Sequence, residues 1–134
     1  MKQFDDVFRG RTVLVTGHTG FKGAWLTQWL LDLGANVVGF SLPEPPTTPS
    51  LFELANLSEA ITDLRRDVAD LATVTQVVND VRPSIIFHLA AQPIVLTGYE
   101  QPHLTFNANV MGTINVLEAM RQCESVKALS LIHI

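Results

Sequence analysis

The sequence has little of several features that mark particular cellular environments. Only one of its 134 residues is cysteine, Cys123, so no internal disulfide can form and nothing requires an oxidising compartment. No stretch approaches the ~20 apolar residues of a membrane span, and the start has no apolar segment of signal-peptide length. Basic residues are the minority, 9 against 13 acidic ones, which argues against a surface that neutralises nucleic-acid phosphates or anionic lipid. We expect a soluble, cytoplasmic protein that binds neither nucleic acid nor membrane.

Length and composition predict a single domain spanning residues 1–134. With 47% hydrophobic residues the chain can close one core of ordinary size, but it has no room for a second domain of similar weight. It contains no internal repeat and no low-complexity tract.

The first forty residues predict a strand, a helix and a second strand. Residues 12–16 form a short β-branched run that ends at a glycine, as expected for a strand buried on both faces of a parallel sheet. A helix should follow, with Gly34 as its stop and one apolar stripe made of Phe21, Trp25, Leu26, Trp29, Leu30 and Leu33. Residues 36–40 then form the second strand.

The rest of the chain continues this alternation. The segment 41–50 holds four prolines and should be a loop, and a short helix over 50–56 follows it. Asp70 is expected to cap a helix that carries Leu71, Val74, Val77, Val78 and Val81 and ends at Pro83. Residues 84–89 form the next strand, followed by a turn around Gly98 and Pro102.

A long helix is predicted over residues 103–121, with apolar side chains on two sides. One side carries Phe106, Val110, Thr113, Leu117 and Met120, and the other Leu104, Ala108 and Met111, which indicates packing against both the sheet and a partner. A fifth strand begins at 126–129. The whole pattern predicts an α/β fold, a Rossmann-like doubly wound parallel sheet truncated at the fifth strand.

Three glycines, Gly17, Gly20 and Gly23, stand between the first strand and the first helix. A pyrophosphate reaches the N–H groups of a helix N-terminus only where no Cβ intervenes, and the last glycine lets the helix pack closely on the strand. This context predicts a dinucleotide site; the alternative is a glycine turn that serves chain reversal alone. Lys22 is either a countercharge for pyrophosphate or a solvated lysine, and His18 either a donor beside phosphate or a tolerated turn residue.

The end of the second strand bears on the choice of cofactor. NAD sites often carry an acid there and NADP sites a basic residue, whereas this chain has Phe40 and Ser41. Between Gly23 and Leu64 there is no Lys or Arg, so a 2′-phosphate would find no countercharge nearby. We expect NAD rather than NADP.

Four stretches carry a family resemblance. They are VTGHTGFKGAWL over 15–26, PTTPSLFELA over 46–55, HLAAQPIV over 88–95 and NVMGTINVLEA over 109–119, with Asp67-Val68 between them. The chain resembles the extended short-chain dehydrogenase/reductases, in particular the nucleotide-sugar 4,6-dehydratases of the NAD-dependent epimerase/dehydratase group. Such dehydratases usually have an arginine followed by Ser-Tyr after the third stretch, where this chain reads Leu96-Thr97-Gly98-Tyr99.

The resemblance implies a set of cofactor-binding residues. The NAD pyrophosphate would be held by Gly17, His18, Thr19, Gly20, Phe21, Lys22 and Gly23. Asp67 would accept from the adenine amino group, Val68 would support the ring, and Asn109 would sit behind the nicotinamide half, while the cofactor would be lined by Leu89, Ala90, Ala91 and Gln92. Asp67 could instead be a solvated loop acid, His88 a satisfied core histidine, and Asn109 and Asn115 ordinary helix polars.

The resemblance also implies what the parent protein does. It would be an NAD-dependent lyase of nucleotide-sugar metabolism that converts CDP-glucose to CDP-4-keto-6-deoxyglucose, as a homodimer formed through helix 103–121. The family's Ser/Thr-Asp-Lys segment, its Tyr-x-x-x-Lys pair and its substrate domain are expected beyond residue 134, so no catalytic or metal-binding residue is assigned here and this fragment should be inactive.

Two alternatives to this function stay open. One is an epimerase or dehydratase acting on another nucleotide sugar, and the other is a non-catalytic NAD-binding module. Residues 130–134 do not resemble a continuation of the fifth strand. This predicts that native sequence stops near Ala128 or Leu129 and that residues 129–134 are a non-native tail.

Overall fold

A computed structural model describes residues 3–131, which form one parallel five-stranded sheet flanked by helices. The strands are β1 (Thr12–Thr16), β2 (Asn36–Ser41), β3 (Thr62–Arg65), β4 (Ile85–His88) and β5 (Ala128–Leu131), in the order β3-β2-β1-β4-β5. This order places β1 in the centre, and its Val13, Leu14 and Val15 are almost completely buried. The predicted fold class is confirmed.

The helices cover both faces of this sheet. They are α1 (Phe21–Asp32), α2 (Leu51–Leu54), α3 (Leu71–Val81), α4 (Val95–Glu100), α5 (Pro102–Phe106) and α6 (Gly112–Gln122). One core layer joins α1 to the sheet through Val13, Val15, Leu30 and Val37. The opposite layer joins α3 and α6 to the sheet, with Leu14, Val78, Ile86 and Val116 among its residues.

The predicted helix starts and stops are largely confirmed. The Asp70 side chain accepts a hydrogen bond from the Thr73 N–H at the start of α3. Ser50 caps α2, where Ser50 and Glu53 form a reciprocal capping box. Residues 107–111 form a π-turn that joins α5 to α6, so the predicted helix 103–121 is one helical segment from Pro102 to Gln122 with a bulge in it.

The predicted apolar stripes are only partly buried in two helices. In α1 the buried positions are Gly23, Ala24, Thr27 and Leu30, while Phe21, Trp25 and Trp29 are at least half exposed. Of the predicted stripe, Leu26 and Leu30 pack in the layer between α1 and the sheet. In α6 the buried positions are Gly112, Asn115, Val116 and Ala119, and Leu117 lies outside. Some buried positions carry glycine because Gly23 and Gly112 lie so close to Gly17 and Val68 that a Cβ would overlap these neighbours, and apolar periodicity does not detect such contacts.

Two further predictions need correction, and one strand has no counterpart among the predicted elements. The segment predicted as a turn around Gly98 forms α4. The strand β3, with the polar sequence TDLR, had no predicted bounds because it lies at an edge of the sheet and lacks an apolar run. The fifth strand does not stop at Leu129, since Ser130 and Leu131 pair with Phe87 and His88; residues 132–134 lie outside the described part of the chain.

Candidate functional site

The carboxyl ends of the central strands meet at one edge of the sheet. Thr16 at the end of β1 pairs with Phe40 in β2 and with His88 in β4. The glycine turn after β1, the loop after β2 and the loop after β4 therefore open on the same side. Ligands of open α/β sheets bind at this edge.

The three glycines of the turn differ in how strictly the structure requires glycine at their positions. Gly17 has a φ of +74°, and a Cβ there would stand 2.8 Å from the Ala90 nitrogen. A Cβ on Gly23 would overlap the Gly17 carbonyl. Gly20 has an ordinary φ of −72°, and a Cβ on it would meet within 4 Å only the Gly17 oxygen, at 3.4 Å. The protein itself thus requires glycine at 17 and 23 but not at 20.

The N-terminus of α1 opens beside Gly20. Within residues 3–131 no side chain caps it, and its first turn holds no acidic residue. Its N–H groups and the positive end of the helix dipole are therefore available to an anion. Thr19 is buried, whereas Phe21 and Lys22 are exposed, so both interpretations of Lys22 stay open.

His18 points away from the turn and into the protein. Its ring has no exposed area; Nδ1 lies 2.9 Å from Ser41 Oγ and Nε2 lies 2.7 Å from Asp63 Oδ1. With both ring nitrogens engaged, the side chain cannot donate to phosphate, and only the backbone of His18 faces the turn. Burial lowers the pKa of the imidazole although the bond to Asp63 opposes that shift.

Asp63 and Arg65 extend this network and were missed at the sequence level. Arg65 forks onto the Asp63 carboxylate at 2.8 and 3.1 Å, and the pKa of Asp63 is lowered because the bonds from Arg65 and His18 outweigh burial, which acts to raise it. Gly39 is the one sequence feature that could have predicted this network, because a glycine inside a strand marks the close approach of another group to the backbone. A Cβ there would overlap the His18 ring.

Arg65 overturns the basis of the cofactor argument made from the sequence. The sequence has no Lys or Arg between Gly23 and Leu64, but parallel pairing sets Arg65 beside Ser41 at the end of β2. Its Nη1 donates to the Pro43 carbonyl at 2.9 Å. A positive charge therefore does lie beside the loop that follows β2.

A second network fixes the loop after β4. Thr16 Oγ1 accepts from the N–H groups of Leu89 and Ala90, both at 3.1 Å, and donates to His88 Nδ1 at 2.7 Å. Thr113 donates to the Asn109 carbonyl, so it accepts from His88 Nε2–H at 3.1 Å. His88 is thus a satisfied, buried histidine, as the sequence analysis offered for this position.

Gln92 and Asn109 are joined by two hydrogen bonds. The Gln92 N–H donates to Asn109 Oδ1 at 2.7 Å, and Asn109 Nδ2 donates to the Gln92 carbonyl at 3.0 Å. This pair ties the loop after β4 to the π-turn, so Asn109 is not an ordinary helix polar. Ala91, next to the pair, is exposed.

Asp67 and Val68 follow β3 at the same edge of the sheet. Asp67 is exposed and accepts from the Ala69 N–H, while the Val68 side chain is buried in the core. The Val68 carbonyl accepts from Asn115 Nδ2 at 3.0 Å. Asn115, itself buried, therefore supports this loop from the helix side.

Other classes of site find no support within residues 3–131. No group of three or more His, Cys, Asp or Glu side chains is placed to hold a metal ion there. No helix of this part of the chain is both long and apolar enough to cross a membrane. Tyr99, the only tyrosine of the sequence, is followed four residues later by His103 and not by lysine.

Comparison with known proteins agrees with this geometry. The sequence profile of the GDP-mannose 4,6 dehydratase family matches residues 14–134. The chain belongs to this family. A CDP-glucose 4,6-dehydratase of Salmonella typhimurium is 44% identical over 91% of the chain, and a CDP-paratose 2-epimerase of Salmonella typhi is 33% identical over 84%. The chain spans about a third of these relatives, 34% and 33% of their lengths.

Two solved structures of epimerases share the fold. A UDP-glucose 4-epimerase from Thermus thermophilus, solved in complex with NAD, matches with a TM-score of 0.75 and 33% identity, over 88% of this chain and 36% of its own. An epimerase from Methanothermobacter thermautotrophicus matches with a TM-score of 0.79 and 28% identity, over 92% of this chain and 35% of its own.

Proposed function

We propose that this chain is the NAD-binding part of a nucleotide-sugar 4,6-dehydratase. The observation that carries the proposal is Gly20. Neither backbone strain nor a neighbouring atom demands glycine there, yet the position faces the uncapped N-terminus of α1. A glycine that the fold does not need, at the point where a pyrophosphate would approach, indicates a ligand of that chemistry.

The residues around the turn would hold the cofactor in three places. Backbone N–H groups of 17–23 would bind the pyrophosphate, and Asp67 with the Val68 backbone would bind the adenine. Leu89, Ala90, Ala91, Gln92 and Asn109 would line the nicotinamide half. The Thr16 and Asn109 bonds support this last assignment because they immobilise the loop 89–92.

The proposed substrate of the parent protein is CDP-glucose, the sugar nucleotide named for the Salmonella typhimurium relative. When bound, NAD would supply an acceptor for hydride from C4 of the sugar and a donor that returns it at C6 after water is lost. This chain's part is to bind and orient the cofactor. The buried, unpaired Cys123 is compatible with the cytoplasmic location that we include in the proposal.

A homodimer formed through the segment from α5 to α6 is also part of the proposal. Four apolar side chains follow one another along this segment at helical spacing and are each at least 43% exposed: Phe106, Val110, Ile114 and Leu117. A self-complementary stripe of this kind suits a two-fold contact. Sedimentation should show a dimer for the chain and a monomer for Val110→Glu. If both proteins sediment as monomers, the proposed dimer is contradicted.

Titration calorimetry tests the proposed function. The chain should release or absorb heat with NAD and saturate at one site per chain, and Asp32→Asn, at the far end of α1, should behave the same. No saturable binding by a folded chain would refute the proposal.

A second experiment tests the proposed substrate. The full-length parent protein assayed with CDP-glucose, UDP-glucose and GDP-mannose should turn over CDP-glucose fastest. Preference for another nucleotide would correct that assignment.

A further inference from the structure

The guanidinium of Arg65 lies where the two nicotinamide cofactors differ. In folds of this kind the ribose 2′ position is read about 20 residues after the glycine turn, by an acid in NAD sites or a nearby arginine in NADP sites. In this chain that distance leads to the end of β2. Arg65 pairs with Ser41 there and donates to the carbonyl of Pro43, two residues further along.

Arg65 is, however, already engaged by other groups. Its Nε and Nη2 donate to the two oxygens of Asp63 at 2.8 and 3.1 Å, and its Cζ lies over the Phe52 ring, 5.3 Å from the ring centre. The pair is largely shielded from solvent, with 27% of the arginine side chain and 18% of the aspartate side chain exposed. Partial burial weakens solvent screening, so the carboxylate neutralises the guanidinium effectively.

Asp63 is in turn held by His18. The imidazole Nε2 lies 2.7 Å from the same carboxylate oxygen that binds Arg65 Nε. The carboxylate therefore has two partners that fix its position behind the end of β2. It cannot turn away from Arg65 without giving up the bond to a fully buried ring.

We propose that Asp63 determines the preference for NAD over NADP by neutralising Arg65, which would otherwise attract a 2′-phosphate. This inference rests on the proposed NAD-binding function and supplies the mechanism of its selectivity. The preference for NAD then arises because the Arg65 cation is already paired with Asp63, and not because the site lacks a cation. Removing the negative charge while keeping the hydrogen-bond acceptor should release Arg65 toward the ligand.

Asp63→Asn is the decisive variant because the asparagine oxygen can still accept from His18. We expect its affinity for NADP relative to NAD to rise by about tenfold or more at low salt, and the gain to shrink as salt is added. Asp63→Asn combined with Arg65→Gln should lose the gain. Asp32→Asn, which removes the same charge at the opposite end of α1, should leave the ratio unchanged.

Calorimetry with both cofactors, alongside circular dichroism, separates the outcomes. An unchanged ratio in folded Asp63→Asn that still binds NAD would overturn the inference alone. A gain that survives the loss of Arg65 would also overturn it, since Arg66 or the lost acid itself would then be responsible. Failure of the parent chain to bind NAD would refute the proposed function and this inference together. Asp63→Ser, which also removes the charge but has a shorter side chain, provides the same test if the asparagine variant does not fold.

Discussion

Gly112 lies directly against Val68, so that a Cβ built on Gly112 would stand 2.7 Å from Val68 Cγ1. The contact joins the start of α6 to the loop after β3, which carries the proposed adenine-binding residues. Valine is short and stiff, and this one is buried, so it cannot move aside at little cost. Close approach of helix and loop thus depends on the absence of one methyl group.

Gly112→Ala should therefore lower the free energy of unfolding by about 1–3 kcal/mol, the usual cost of overpacking. In a Val68→Ala background the same change should stabilise the protein, since alanine is favoured over glycine in helices by about 0.8–1.0 kcal/mol. Urea denaturation of the four proteins measures both effects. Equal effects of Gly112→Ala in the two backgrounds would show that the contact does not limit packing.

Gly20→Val should abolish NAD binding and leave the fold intact. The position has an ordinary φ and open surroundings, so we expect the free energy of unfolding to change by less than about 1 kcal/mol. Gly23→Ala is the contrasting variant, because its Cβ would overlap the Gly17 carbonyl and the fold itself should suffer. Calorimetry beside circular dichroism separates the two. If folded Gly20→Val binds NAD as the parent chain does, the pyrophosphate does not bind at this turn.

Asn109→Ala should loosen the loop after β4. It deletes both bonds to Gln92 and leaves backbone groups without their partner, at a cost of about 1–3 kcal/mol. Amide exchange at Gln92 should accelerate and NAD affinity should fall. Asn107→Ala, at an exposed position of the same π-turn, is the control. Unchanged exchange at Gln92 would mean that the loop is held by other contacts.

Stability should fall with decreasing pH below about 6.5 because of His18. Its pKa is lowered by burial from the ordinary 6.5, so in that range the unfolded chain binds a proton that the folded chain refuses. The stabilising contribution is present above 6.5 and is lost as pH falls toward the folded pKa. His18→Gln should flatten the slope between pH 7 and 5, whereas His103→Gln, at an exposed position, should not. Parallel slopes for parent chain and His18→Gln would contradict this assignment.

The chain by itself should not turn over any nucleotide sugar. Its only tyrosine, Tyr99, is 83% exposed and lacks a lysine four residues on, so the Tyr-x-x-x-Lys pair of the family is absent from this sequence. Product formation from CDP-glucose, followed by chromatography against a protein-free blank, should stay at background. Turnover that tracks with the purified chain would require a base among the residues of this sequence.

The sequence by itself determined the fold class, the position of the glycine turn, and the strands and helices other than β3 and α4. These depend on local signals: a β-branched run, glycines at the strand-to-helix junction and an Asp70 cap are legible without neighbours. The roles proposed for Asp67 and Asn109 come from the family resemblance and not from such local signals.

Only the tertiary structure decided which faces are buried and which polar groups meet. The buried face of α1 includes Gly23, Ala24 and Thr27 beside Leu30, and glycine is required at 23 because a Cβ there would overlap the Gly17 carbonyl. Arg65, 24 positions after Ser41 in the sequence, lies beside it because parallel pairing aligns strand ends from different parts of the chain. A charge count along the sequence could not detect that neighbour, since register and not sequence distance places the cation beside the loop after β2.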